Sequence, residues 1–524
     1  MLFRSIEFFK QYENNLPEEK YIGELYFLAH RGTYTSQAKT KKLNRKCEFA
    51  LREAEMLSVI SNKIGCADYP ESRLERLWKD VLFNQFHDII PGSSIKEVYD
   101  EANKLYENVL AETQDIIVKS RGVFLTKEEG YRTLFNSLSW DRKVCINNKI
   151  VTLPACGYLT FSEVELQDEA TGRTVVETVE ENCILENEYL RVTFNGCGEI
   201  TGVFDKEANR EFTKGICNRF AMYKDVPTRN DAWDIDSMYV ENPLELSGAA
   251  EISVYENMVS VKKMLNNSVL VQNISLEPGS RRIDFDTQID WQENHKLLKV
   301  CFPVNIHVNE ALHDIQFGYY ARPNHFNRQF DKDRFEVCAH KWTALVQTNC
   351  GAAVINDCKY GVNVLDNSIN LTLQKAAMAP DKSADKGQNS FRYALYVWNG
   401  SFAESRLVNE AYEFNVPVNV YEGYRGAMSG KSFFKIDSSN VIIDTVKLAE
   451  DGTGDIILRM FESMQASEDV ELTVNLPFDK AYITDMMENR SEGTDVSVCR
   501  DFEKCKIKLS FGAFEVKTLR LSSN

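Results

Sequence analysis

The sequence predicts a multidomain protein of the α plus all-β class: an N-terminal three-helix bundle followed by antiparallel β-sandwich domains. Three observations lead there. At 524 residues the chain is too long for one hydrophobic core. Its first 120 or so residues carry apolar side chains at helical spacing. Beyond about residue 130 the apolar period drops to two.

Taken in order, Lys39 to Ile60 places Leu43, Cys47, Ala50, Leu51, Ala54 and Leu57 close to i, i+3, i+4 spacing, which predicts a first helix. The loop GCADYPESR follows. Leu74, Leu77, Trp78, Val81 and Leu82 mark a second helix, which Pro91-Gly92 is expected to end. Ser94 and Glu97 form a capping-box pattern for a third helix. Its stripe is Ile95, Val98, Tyr99, Ala102, Leu105, Tyr106, Val109 and Leu110. Short connections make these an antiparallel bundle. Further on, Ile283, Phe285, Thr287, Ile289 and Trp291 alternate with polar residues, as do Leu298, Val300, Phe302, Val304 and Ile306. That is the pattern of half-buried antiparallel strands. It recurs in YLRVTF, DIILRMF, VELTVNL and FEVKTLRL. Joints are expected near 125–135, near 180 and near 415–435.

Composition narrows the function classes. Lys plus Arg number 61 and Asp plus Glu 78, a net charge of −17, so the chain repels phosphate backbones and nucleic acid is an unfavourable partner. No apolar run approaches the roughly 20 residues that span a bilayer. MLFRSIEFFKQYENN mixes both charge signs and lacks the pattern of a signal peptide. Thirteen cysteines are scattered without C-x-x-C or zinc-finger spacing, as expected of reduced thiols in a cytoplasm.

The stretch LWKDVLFNQFHDIIPGSSI sets His87 beside Asp88 near the end of the second helix. On a helical wheel Phe83, Phe86 and Ile90 lie roughly opposite the bundle-facing stripe, with His87 beside them. A helix apolar on both sides is buried on both sides, so this face should be covered by the sandwich domains or by a domain outside this chain. Two unlike polar groups there are costly to bury without partners. The pair can be a metal site, an acid/base pair, or polar residues at a helix end.

That stretch closely resembles the segment that supplies a zinc-binding histidine in glycoside hydrolase family 38, the retaining α-mannosidases. The resemblance extends along the chain. GELYFLAHRGTYTSQAKTKKLNRKCEFALREAE resembles that family's junction between catalytic barrel and helical domain. ILENEYLRVTFNGCGEITGVFDKEANRE, FGYYARPNHFNRQFDKDRFEVCAHKW and VINDCKYG resemble its large β domain, and VKLAEDGTGDIILRMFE and FEVKTLRL its last one. It implies five parts: 1–35 as the end of the catalytic domain, 36–125 as the helical domain, 126–182 as a small β domain, 183–420 as the large β-sandwich, and 421–524 as the C-terminal β-sandwich. The family's His-x-Asp zinc pair and its aspartate nucleophile have no counterpart here, since none of the seven histidines is followed by x-Asp. The expectation is a C-terminal portion of an α-mannosidase with the barrel missing, inactive alone.

The resemblance also implies roles. His87 matches a zinc ligand, the remaining ligands being expected on the missing domain. Asp88 matches a carboxylate that binds sugar hydroxyls. Glu24 in GELY is the candidate general acid/base. Tyr34 is placed at the cleft rim. Trp233 and Asp234 in NDAWDID pair a ring face with a hydroxyl acceptor, and Arg322 and Asp357 are weaker candidates of the same kind. The chain departs from the family at Ala321, where the family carries a glutamate before Arg-Pro. Expected partners are α-mannoside glycans, a separate barrel polypeptide, and a second copy of the chain through any uncovered apolar surface. Other readings stay open. A metal-dependent phosphohydrolase would need further His and Asp ligands, and only His30 lies nearby. A non-catalytic carbohydrate-binding or scaffold protein would retain the sandwiches alone.

Overall fold

The computed structural model describes residues 5–15, 19–165, 174–179, 182–501 and 504–523. The expected joint near 180 falls partly on residues outside these ranges. A short helix α1 (Ser5–Tyr12) precedes three longer ones, α2 (Ala38–Lys63), α3 (Glu71–Asn84) and α4 (Lys96–Gly122). The last three pack as the expected bundle, with Cys47, Leu51, Ala54, Leu77, Val81, Tyr106 and Val109 fully or almost fully buried among them.

The remainder is antiparallel β-structure. A nine-stranded sheet and a six-stranded sheet share one core with a five-stranded sheet that begins at Val175. Strand Arg282–Trp291 sits inside the nine-stranded sheet and buries Ile283, Phe285, Thr287, Ile289 and Trp291, as its alternation predicts. The C-terminal residues form a four-stranded and a five-stranded sheet facing each other, and their core continues into the helical bundle. The segment expected as a small β domain does not close on itself. Its strand Leu125–Asn136 pairs on one side with Gly157–Ser162 and on the other with Asn419–Gly426.

Four local expectations are corrected. Helix α3 ends at Asn84 rather than at Pro91, and residues 85–92 run as successive turns. The cause is competition for carbonyls: Ser94 Oγ donates to Asp88 O at 2.6 Å and Lys41 Nζ to Ile90 O at 2.8 Å, while Pro91 disfavours the helical conformation at Ile90. Ser94 is therefore spent elsewhere, and α4 starts from Ile95 without a side-chain cap. The face of Phe83 and Phe86 is not buried, since these residues are 68% and 52% exposed, and Leu82, expected on the bundle-facing stripe, is 59% exposed as well. Finally, the strand carrying Leu298, Val300 and Phe302 ends at Pro303 and is buried on both faces. Lys299 is accommodated there by an ion pair to Glu336 at 2.5 Å and a hydrogen bond to Thr372.

Helix α2 joins every part. At its start Asp385 accepts the Gln37 and Ala38 amides at 2.9 and 2.6 Å. About two turns on, buried Arg45 donates to Asn356 O, Asn356 Oδ1 and His340 O in the large β unit and stacks on Tyr360 at 4.3 Å. Two turns further, Arg52 donates to Ser137 O, Ile443 O and Asp444 O. Removing one partner of such a buried charged network strands the rest. Arg45→Met is expected to cost about 3–5 kcal/mol, read as a large fall in melting temperature, with Arg45→Lys recovering only part because one ammonium cannot reproduce the planar fork.

Glu55, also on α2, is 7% exposed, and burial pushes its carboxyl up to about 7 against the opposing Trp78 indole hydrogen bond. A carboxyl raised on folding binds more protons folded than unfolded, so its contribution to stability falls as pH rises from about 4.5 to about 7. Glu55→Gln is expected to raise the melting temperature at pH 8, by up to about 3 kcal/mol of stability, and to lose that gain near pH 4.5. A melting difference that does not change with pH contradicts this.

Candidate functional site

The His87–Asp88 pair lies on the turns after α3. The backbone there is held from three sides. Tyr99 Oη accepts the Ser94 amide at 2.8 Å, Ser94 Oγ donates to Asp88 O, and Lys41 Nζ donates to both Ser36 O and Ile90 O. Gly92, at φ +91°, presses so close to Ser36 that a Cβ would lie 2.4 Å from Ser36 O. Burial pushes the Lys41 ammonium down to about 7, with Asp385 pulling it back up. On this fixed backbone the two side chains point outward. His87 is 77% and Asp88 50% exposed at the side chain, with Nε2 and Oδ2 3.7 Å apart. The Phe86 ring lies 4.2 Å from the imidazole.

A second cluster forms where residues 27–36 meet the loop 230–236. Asp234 Oδ1 accepts the His30 amide at 2.5 Å, the Gly32 amide donates to Trp233 O at 2.8 Å, and Ser36 Oγ donates to Ala232 O at 2.7 Å. The His30 ring packs on Trp233 at 4.5 Å, with Phe27 5.0 Å on its other side. His30 adopts φ +66° to make this turn. Sequence reasoning gave His30 no part in this contact; its only signal is position beside Gly32, which a partner 200 residues away gives meaning. Tyr34 closes the turn Arg31–Tyr34, and burial pushes its phenol well above the usual range, so it stays neutral. Ser36 thus touches both clusters, which places His87–Asp88 and Trp233–Asp234 on one side of the molecule's α/β junction.

The other expected site residues are used differently. Glu24 is clamped by Arg322, Oε1 to Nη2 at 2.5 Å and Oε2 to Nε at 3.0 Å, with Arg334 Nε 3.6 Å from Oε2. A proton donor needs an oxygen free to face the leaving group. Both Glu24 oxygens are engaged in this structure, and the carboxylate ties the N-terminal segment to the β domain. Arg322 is 4% exposed and also donates to Cys338 O, which makes it a structural residue. Asp357 accepts the Arg392 amide at 3.0 Å and pairs with its guanidinium, locking adjacent strands.

Among the described residues no group of three or more His, Cys, Asp or Glu side chains converges as a metal site. The exposed ring nitrogen of His87 and carboxylate of Asp88 could supply at most part of a zinc ligand set, which takes three or four protein donors. Gly32 offers a test of the second cluster. A Cβ there would lie 2.8 Å from Asp234 O and 2.9 Å from Lys375 Cε. Gly32→Ala is expected to displace the 230–236 loop, costing about 1–3 kcal/mol and shifting the tryptophan emission that Trp233 contributes. An unchanged melting temperature and spectrum would show that the loop is not seated on Gly32.

Comparison with known proteins agrees with this architecture. Residues 28–123 match the alpha mannosidase middle domain, 185–383 the glycosyl hydrolases family 38 C-terminal domain, and 440–519 the family 38 C-terminal beta sandwich domain. The chain is 32% identical over 528 residues to alpha-mannosidase 2C1 of Homo sapiens, covering 96% of this chain and 50% of that protein. It is 30% identical over 600 residues to alpha-mannosidase G of Dictyostelium discoideum, covering 99% and 54%. The chain spans about half the length of the curated relatives it matches. A crystal structure of a glycosyl hydrolase family 38 protein from Enterococcus faecalis shares the fold with a TM-score of 0.80 at 15% identity, covering 99% of this chain and 73% of that one. Three domain matches in family order, on a helical bundle and paired β-sheets built as described, establish that the chain belongs to glycosyl hydrolase family 38.

Proposed function

We propose that these residues form the helical and β portion of a zinc-dependent, retaining α-mannosidase acting on terminal α-D-mannosyl residues of glycans. The observation that supports this most is the surface at His87: an imidazole and a carboxylate presented together on a rigid turn, beside apolar side chains that no described element covers, in a member of family 38. His87 is one zinc ligand in this reading, and the other ligands, the nucleophile and the general acid/base lie outside these 524 residues. Bound zinc would act as a Lewis acid toward sugar hydroxyls. Asp88 accepts a hydrogen bond from a mannose hydroxyl. Trp233 offers its ring and Asp234 its second oxygen from the neighbouring loop, and Tyr34 lines the rim in this reading. Glu24, Arg322 and Asp357 position the elements that carry these groups.

The partners follow from the same surface. Phe83 and Phe86 left in water cost about 25 cal/mol per Å² of apolar area, so a barrel domain, in this polypeptide or a separate one, is the natural cover, and self-association the substitute. The thirteen free cysteines fit a reducing compartment, and no described helix is long and apolar enough to cross a membrane.

The test is an aryl α-mannoside assay with zinc on the 524-residue chain alone and with the upstream half of a family member. Hydrolysis is expected only in the combination, and His87→Ala is expected to abolish it. Turnover by the chain alone that survives His87→Ala overturns the reading.

A further inference from the structure

Between the α2–α3 face, the large β unit and the C-terminal β-sandwich runs a groove with no ligand role so far. One part, about 360 Å³, is lined among others by Glu48, Glu55, Trp78, Asp314 and Lys341. The adjoining part, about 520 Å³, continues past Lys447 and Arg459. The two share Glu55, Trp78, Leu82 and Thr445, so Trp78 stands at the waist of one continuous cleft whose volumes fall within the range of small-molecule sites.

Its polar groups are built rather than scattered. The Trp78 indole N–H donates to Glu55 Oε1 at 3.1 Å, and Gln85 Nε2 donates to Glu48 Oε1 at 2.9 Å. Each carboxylate keeps its second oxygen free of any hydrogen bond among the described residues, although Glu55 is more than nine-tenths buried. The cations are already committed. Arg52 is bound to three carbonyls, and Lys341 pairs with Asp314 at 2.9 Å. An anionic ligand would meet Glu48, Glu55 and Asp314, and a cationic one Arg52 and Lys341. A neutral ligand with both hydroxyl donors and acceptors and an apolar ring face meets neither penalty, which is the chemistry of a sugar.

We infer that this cleft is a saccharide-binding site distinct from the His87 surface, taking a neutral oligosaccharide across Trp78 with its hydroxyls on Glu55 and Glu48. Helix α3 runs six residues, about 9 Å, from Trp78 to its C-terminal end before the turns that carry His87 begin. The site therefore stands or falls independently of the mannosidase reading.

The experiment is titration of the chain with linear mannotriose and with maltotriose, followed by tryptophan fluorescence and calorimetry. Saturable binding of at least one is expected. Glu55→Gln, which keeps the acceptor for Trp78, is expected to weaken it about tenfold or more, the loss of one charged hydrogen bond. Trp78→Phe is expected to weaken it and to remove the fluorescence change. Absence of saturable binding by a folded chain overturns the inference. So does binding that His87→Ala removes and Glu55→Gln does not, or saturation by putrescine in place of either saccharide.

Discussion

Everything in this molecule is hung on one helix whose charges are inside. Helix α2 has its first amides held by Asp385 of the large β unit, then carries Arg45, bound to carbonyls of that same unit, and Arg52, bound to carbonyls at Ser137, Ile443 and Asp444. A guanidinium offers several donors in a fixed plane, so each arginine fixes both distance and orientation of the loop it grips. Apolar packing alone would hold the sheets against the helix but would allow them to slide. The long-range hydrogen bonds remove that freedom, and the relative placement of residues 87, 234 and 385 follows from it.

The candidate site inherits its rigidity from that frame. Lys41 ties the loop after α3 to Ser36, Ser36 ties to Ala232, and Asp231 accepts the Met378 amide at 2.6 Å. Three loops from distant parts of the chain are thereby fixed to each other before any ligand arrives. Such preorganisation lowers the ordering cost at the moment of binding. The side chains that face outward, His87 and Asp88, are the ones the frame does not use.

How much of this could be read beforehand depended on the range of each interaction. Ile283 to Trp291 were legible because each residue faces one environment, so alternation reports burial directly. Lys299 was not, since its burial rests on Glu336 from another strand. The end of α3 was misplaced because the groups that unwind it, Ser94 and Lys41, act through tertiary contacts rather than through helix-ending signals. Glu24 looked like a free carboxylate until folding brought Arg322 to it across 298 positions. His87 and Asp88 drew attention through the residues around them, and their exposure could not be told from periodicity, which marked that face for burial.

The strand Leu125–Asn136 pairs with Asn419–Gly426 in the register Phe135↔Asn419 and Leu134↔Val420. The large β unit is therefore threaded between two neighbours of a single sheet. On a ribosome, that sheet waits for about 280 intervening residues, roughly 15–60 s of synthesis at ordinary elongation rates. During that interval one edge of Leu125–Asn136 has its amides and carbonyls unmatched, a template for a foreign strand. The order of manufacture thus gives the nascent protein a window of vulnerability that the finished fold conceals.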